Sequence, residues 1–232
     1  MSPSRKLNTT KKEIILVATR LFLERGFTDT TVKLISDTLG ISTGNLTFHY
    51  PTKEHLLAVL VEMLCDFQWH SMELVLDEGS SPLMALCLEL AAMAAICEEN
   101  DIARDFYLSS YTLPMTLNII RVNDQKKARK LFAEYCGHWK DWNFDQAETL
   151  VSGIEYATLM NTDCSPKLPI RLSGALKAIL KIYGVPDDAC ENCIQKVLQM
   201  DYHNIGRTVL KEFTDYVRNV SEERLEQYLL KQ

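Results

Sequence analysis

The stretch TVKLISDTLGISTGNLTFHYPTKEHL, residues 31–56, decides how the N-terminal end of the chain folds. Val32, Ile35 and Leu39 recur at helical spacing, which predicts a short helix from about Val32 to Leu39. Thr31 stands where an N-cap is needed, and Gly40 where a helix stops. Ile41 falls in the turn, and Ser42 is placed to cap a second short helix over Thr43 to His49. Pro51 disfavours helical geometry at Tyr50 and closes that helix. Thr52 then caps a long helix with Leu56, Leu60, Leu64 and Phe67 on one face. Two short helices joined by a tight glycine-containing turn make a helix-turn-helix unit. The major groove of DNA admits one α-helix, and the second helix of such a pair is the one presented to it. Ser42, Thr43, Gly44, Asn45, Thr47 and His49 give that helix a small polar surface, while Leu46 points back to anchor it. Gly44 has no side chain to hold the backbone away from a phosphate or base edge.

Upstream, Ile14, Val17, Ala18, Leu21 and Phe22 form one apolar face, which predicts a helix from about Thr10 to Arg25. Thr9 or Thr10 offers its N-cap, and Gly26 ends it. Downstream, period-two runs of β-branched residues are absent, and the chain reads as helix after helix. Pro82 fits the first turn of a helix reaching about Glu99. Further helices are expected at Asp101 to Tyr111, Met115 to about Cys136, Asp145 to Met160 and Ile170 to Tyr183, with Pro166 and Pro169 marking a loop. The remainder to Gln232 is helical, bent or broken near Gly206. The fold class is all-α: an N-terminal three-helix helix-turn-helix domain over residues 1–55, then a helical domain over 56–232.

Charge separates the same two regions. The whole chain carries −6, but residues 1–55 hold eight Lys or Arg against five Asp or Glu, a net of +3, and the rest carries −9. A basic end on an acidic body suits a protein that meets phosphate at one end only. No apolar run approaches the roughly 18 residues of a membrane span, and no membrane partner is expected. The polar N-terminus, with Arg5 and Lys6, has no signal-peptide core. Seven cysteines, an odd number set mostly in apolar helical patterns, fit a reducing cytoplasm better than a disulfide framework.

The run from Gly40 to Leu56 resembles the signature of the TetR family of transcriptional regulators: a turn glycine, an apolar residue, a small residue, glycine, leucine, an aromatic-His-aromatic cluster (Phe48, His49, Tyr50), then Lys53-Glu54 and leucine. Ala18, Leu21-Phe22, Gly26-Phe27 and Thr30-Thr31 also match, so the resemblance covers about the first 60 residues. It implies a dimeric DNA-binding regulator, a ligand-released repressor of a palindromic double-stranded operator, and no enzyme. It implies that Thr31 holds a phosphate at the start of its helix. Thr43, Asn45 and Thr47 would face bases, and Phe48, His49 and Lys53 backbone or sugar. Lys33 belongs to the same DNA-binding set. Where the family commonly has tyrosine after the leucine, this chain has Thr47, which can make only a shorter contact.

The rest of the chain resembles only a generic helical sensor domain. Phe67, Met93, Tyr107, Tyr111, Trp139, Tyr156 and Met160 are candidates to line a pocket for an unidentified small molecule, since such pockets are mostly apolar; each fits ordinary core packing too. For the homodimer that the resemblance implies, the candidate interface helices are Asp145 to Met160, with Gly153 and Ala157, and Ile170 to Tyr183, with Gly174, Ala175, Leu176 and Ile179; these stripes fit the monomer's own core too, and the helices after Pro186 are the alternative. Cys190 and Cys193 form a Cys-x-x-Cys without the further ligands of a zinc site, and Glu98, Glu99 and Asp101 read as a solvated helix end. No metal or other cofactor is expected. The alternative function is a DNA-bound interaction protein of the same fold without a small ligand.

Overall fold

The computed structural model describes residues 3–77 and 81–230, with the backbone alone for 3–9 and 72–77. The side chains of Thr9, Arg5 and Lys6, and all of Ser80, lie outside the described residues. Among the described residues there are thirteen helices and no strand. They are α1 (Pro3–Arg25), α2 (Val32–Leu39), α3 (Thr43–His49), α4 (Lys53–Asp77), α5 (Pro82–Glu99), α6 (Asp101–Thr112) and α7 (Pro114–Leu131), then α8 (Ala133–Cys136), α9 (Asp141–Leu159), α10 (Leu168–Ile182), α11 (Asp187–Leu198), α12 (Tyr202–Arg218) and α13 (Glu222–Leu230).

The residues group into two compact units, which are described separately. The first comprises Met1–Phe67, Asp101–Ile119 and Lys211–Gln232. In it α1 packs on α2, α6 and α13. Ile14, Ile15, Ala18 and Phe22 of α1 are fully buried with Ile35 and Leu46. Residues 56–61 of α4 are buried on every side, the mark of a core helix. Phe213 lies 5.5 Å from the ring of Phe67 and 6.1 Å from that of Phe106. The C-terminal helix is tied back by Lys12 to Glu226 at 2.6 Å and by the Tyr228 hydroxyl donating to Asp66 at 2.8 Å.

The second unit comprises Gln68–Asn100 and Ile120–Leu210. Here α5 is the centre, packed by α9, α10 and α11, with every residue from Leu90 to Cys97 buried. The unit also buries charge. Lys127, only 3% exposed, pairs with Glu89 at 2.9 Å and Asp124 at 3.6 Å. Burial first, then the nearby Asp124, pushes the Glu148 carboxyl up to about 8, although it accepts a hydrogen bond from the Tyr183 hydroxyl.

Several expectations need correction. Helix α1 starts at Pro3, so Thr10 lies inside it and does not cap it; proline suits a first turn, and Lys11, Lys12 and Glu13 are good helix formers that carry the helix through the threonines. The segment expected as one helix to Cys136 breaks at Phe132, where the fully buried ring stacks on Tyr183 at 4.0 Å. Helix α9 begins at Asp141, before Asp145, where the Asn143 side-chain oxygen accepts from the Lys140 amide at 3.0 Å. Pro169 lies in the first turn of α10, not in the loop. The residues Ala175, Leu176 and Ile179, read from sequence as an interface, are buried within their own unit. Across the expected division at residue 55, α4 runs unbroken to Asp77, and both α6 and α13 lie on α1.

Helix α12 runs unbroken through Gly206, which lets it approach α5. A Cβ there would sit 2.6 Å from the Ala92 carbonyl oxygen. In an ordinary helix interior, Gly→Ala stabilises by roughly 0.5–1 kcal/mol. Here the sign should reverse: urea unfolding followed by circular dichroism is expected to show Gly206→Ala destabilised by about 1–3 kcal/mol, the usual cost of overpacking. A more stable variant would show that the helices part without penalty.

Candidate nucleic-acid interface

The chain must reverse twice between α1 and α3, and each reversal is locally specified. Helix α1 stops at Gly26, whose φ of +88° is open to glycine and strained for other residues. The carboxylate of Asp105 on α6 fills the space beside it, so a Cβ at Gly26 would lie 2.7 Å from Asp105 Oδ2. That carboxylate accepts from the Thr28 amide at 2.9 Å and from the Thr28 hydroxyl. The hydroxyl of buried Thr30 donates to the Gly26 carbonyl at 2.7 Å. Thr31 then caps α2 by accepting from the Leu34 amide at 3.0 Å. Gly40 closes α2 in the left-handed region, and Ser42 caps α3 by accepting from the Asn45 amide at 3.1 Å. Helices α2 and α3 keep the boundaries that the sequence predicts.

Leu46 is the buried residue of α3. Thr43, Gly44, Asn45, Thr47 and Phe48 are exposed, Phe48 by 74%. The hydroxyls of Thr31 and Ser42 accept from the backbone, which leaves their protons for an outside acceptor. Thr47 differs: its hydroxyl donates to the Thr43 carbonyl at 3.0 Å, so it can offer an outside group only lone pairs. Lys33 is exposed in the first turn of α2.

The aromatic-His-aromatic cluster divides by burial. Tyr50 is core, 3% exposed, with its hydroxyl donating to the Lys11 carbonyl at 3.4 Å and its pKa raised by burial. His49 is half-buried, and its Nδ1 has no hydrogen-bond partner among the described residues. Burial, then the charge of Lys11, lowers its pKa and favours the neutral ring. Lys53 does not project freely. Its ammonium donates to the Phe27 carbonyl at 2.6 Å and lies 4.0 Å from the centre of the Phe27 ring. Burial lowers its pKa, opposed by Asp105 and Asp29.

Two residues that position this face were missed in the sequence. Asp105 holds the turn after α1, and Glu54 accepts from the Met115 amide at 3.0 Å, tying the start of α4 to the start of α7. Asp105 sits in no motif, and the role of Glu54 is not readable from the Lys53-Glu54 pair, because each partner lies more than 60 residues away in the chain.

The seven pocket candidates are not brought into one group within either unit. Phe67, Tyr107 and Tyr111 are buried in the first unit. Met93 is buried in the second, where Trp139, Tyr156 and Met160 are half-buried. Trp139 packs on Phe144 at 5.1 Å and Tyr183 at 5.9 Å. The second unit also carries a cleft of about 590 Å³, lined by Glu98, Lys167, Arg171, Tyr202 and His203 among others and by none of the seven. Arg171 pairs there with Glu98 at 3.0 Å. No helix among the described residues is long and apolar enough to cross a membrane.

Comparison with known proteins bears on this geometry. Residues 14–60 match the family model of bacterial regulatory proteins, tetR family. The HTH-type transcriptional repressor KstR2 of Mycolicibacterium smegmatis is 32% identical over 87 residues, which is 37% of this chain and 42% of the repressor. The HTH-type transcriptional regulator RutR of Escherichia coli K12 is 29% identical over 107 residues, 44% of this chain and 45% of the regulator. The matches thus span less than half the length of these curated relatives. Among solved structures, RolR without ligand is similar in fold, with a TM-score of 0.59 and 20% identity, over 79% of this chain and 95% of that one. Since the family match covers α2, α3 and the turns that set them, residues 14–60 carry the helix-turn-helix of the TetR family of bacterial regulatory proteins.

Proposed function

We propose that the chain is a DNA-binding transcriptional regulator, a ligand-released repressor that grips a roughly palindromic operator as a dimer. The observation that carries the reading is α3, a seven-residue helix that buries Leu46 and turns Thr43, Gly44, Asn45, Thr47 and a 74%-exposed Phe48 outward. Thr31, Lys33 and Ser42 serve phosphates, Thr43 and Asn45 serve base edges, and Gly44 lets the backbone close on them. Thr47 accepts only. Phe48 and His49 lie against sugar and backbone, and Lys53 contributes its charge while holding the turn at Phe27. In function the chain divides into a DNA-binding part, 1–55, and a sensing and dimerising part, 56–232.

One such helix reads too little groove for specificity, so two copies are needed. The exposed sides of α9 and α10, which pack on each other, suit a two-fold contact. Leu150 and Ile170 are more than half exposed, and Gly153, Ala157, Gly174 and Ala178 beside them are exposed small residues that permit close approach. The ligand is a small apolar or amphipathic molecule held beyond residue 55, with Phe67, Met93, Tyr107, Tyr111, Trp139, Tyr156 and Met160 as candidate lining. It favours a conformer in which the two recognition helices leave the ~34–36 Å half-site spacing, with α4 as the lever.

Four outcomes are expected. On an operator selected from random DNA, Lys33→Ala should weaken operator and unrelated DNA by the same factor and reduce the salt slope by about 1. Asn45→Ala should instead cost about 1–3 kcal/mol of discrimination; an unchanged specificity ratio in fluorescence anisotropy would remove α3 from base reading.

A Cβ at Gly153 or at Gly174 would meet nothing within 4 Å beyond its own helix, and both positions are exposed, so the fold should persist in the double change Gly153→Glu with Gly174→Glu. Sedimentation velocity should then show monomers, with specific operator binding lost. A persisting dimer would place the interface elsewhere.

A cognate ligand should raise the melting temperature and lower operator affinity together, since the two bindings are linked. Any compound that stabilises the protein but leaves operator affinity untouched fails as the release signal. Finding only such compounds would favour the ligand-free interaction protein.

A further inference from the structure

The sequence draws attention to Cys190 and Cys193, but the fold pairs Cys193 with a different thiol. Its Sγ lies 3.6 Å from that of Cys87 on α5, 106 residues away in the chain. Cys190 turns aside, its thiol donating to the Val185 carbonyl at 3.5 Å. Cys136 likewise donates to the Tyr183 carbonyl at 3.3 Å. We propose that Cys87 and Cys193 form an oxidisable dithiol, a modification site at which a hydroperoxide closes a disulfide between α5 and α11.

Geometry and access carry this. The two helices pack directly within the second unit. A disulfide needs its sulfurs near 2.05 Å, so they must close by about 1.5 Å, within reach of side-chain rotation and a small helix shift. Cys193 is 7% exposed and Cys87 fully buried, so a small oxidant meets Cys193 first. Cys193 is also the better nucleophile. Its hydrogen-bonding contact with Cys87 outweighs burial and, with a smaller contribution from the charge of Lys196, holds its pKa below the ordinary thiol value, while the same contact and burial push Cys87 up.

The steps balance. The Cys193 thiolate attacks one peroxide oxygen, an S–O bond forms, and the O–O bond breaks. The released hydroxide takes up the proton that Cys193 gave up and leaves as water, or as alcohol from an organic hydroperoxide. The Cys87 sulfur then displaces the sulfenic oxygen from Cys193. The S–S bond forms, and the oxygen leaves as water with the Cys87 proton. Two thiols are oxidised by two electrons and one peroxide is reduced.

The test uses the full chain with Cys164→Ser, which removes the exposed thiol and leaves six. The folded protein is treated with hydrogen peroxide, then denatured, alkylated and digested for mass spectrometry. Two of the six thiols should be lost, with one linked peptide pair joining Cys87 to Cys193. Adding Cys87→Ala should abolish the link and leave a Cys193 sulfenic acid that dimedone traps. The proposal is overturned if all six thiols still alkylate after excess peroxide, if the link runs through Cys190, or if it forms only in urea-unfolded protein.

Discussion

The carboxylate of Asp105 fixes the point from which the N-terminal architecture is measured. It occupies the space that a side chain at residue 26 would take, and binds both the amide and the hydroxyl of Thr28. On the same loop, Lys53 holds the Phe27 carbonyl and covers the Phe27 ring. The loop after α1 is therefore held by an acid from α6 and a base from α4. Thr31 can cap α2 only if that loop delivers it to the right place, and α3 follows α2 through a turn of fixed geometry. A shift of α6 relative to α1 would thus be felt at α3 without any change within the helix-turn-helix itself. Glu54 adds a second such tie, from the start of α4 to the start of α7.

The two units solve their packing differently. The first is closed by aliphatic residues and by the rings of Phe67, Phe106 and Phe213. The second buries Lys127 and Glu148, pairs Lys127 with half-buried Glu89 and Asp124, and has Arg121 donating to Ser152 at 2.9 Å nearby. Taking charges from water is costly unless geometry and hydrogen bonds compensate. Glu148 meets the cost by tending toward the neutral form. Such an interior rewards one arrangement of α7, α9 and the Tyr183 region over others, because a slipped helix would strand a charge.

Legibility in the sequence follows the range of the interaction that fixes each feature. The boundaries of α2 and α3 were readable because their causes are local: Thr31, Gly40, Ser42 and Pro51 act within a few residues. Asp105, Glu54, Gly206 and the Cys87–Cys193 contact were not, since each acts on a partner more than 60 residues distant. The faces of α10 failed for another reason. Leu172, Ala175, Leu176 and Ile179 line one side while Ile170, Gly174 and Ala178 occupy another, and a helix apolar on two sides does not say which faces inward. The core takes the larger residues, and the small ones are left outside with Ile170.

What remains outward on α3 is informative for the same reason. A helix of seven residues cannot hold itself together in water. This one is held by the Ser42 cap, by Leu46 and by buried Tyr50 at its end. Phe48 contributes nothing to that hold, although burying a phenyl ring stabilises a fold by about 1.5–3 kcal/mol. A sequence selected for stability alone would carry a polar residue there. An aromatic ring at the exposed end of the helix, next to a half-buried neutral histidine, makes sense as a surface that awaits a partner. In the proposed complex the flat sugar and the walls of the groove cover it, and the apolar area left unused in the free protein is buried on binding.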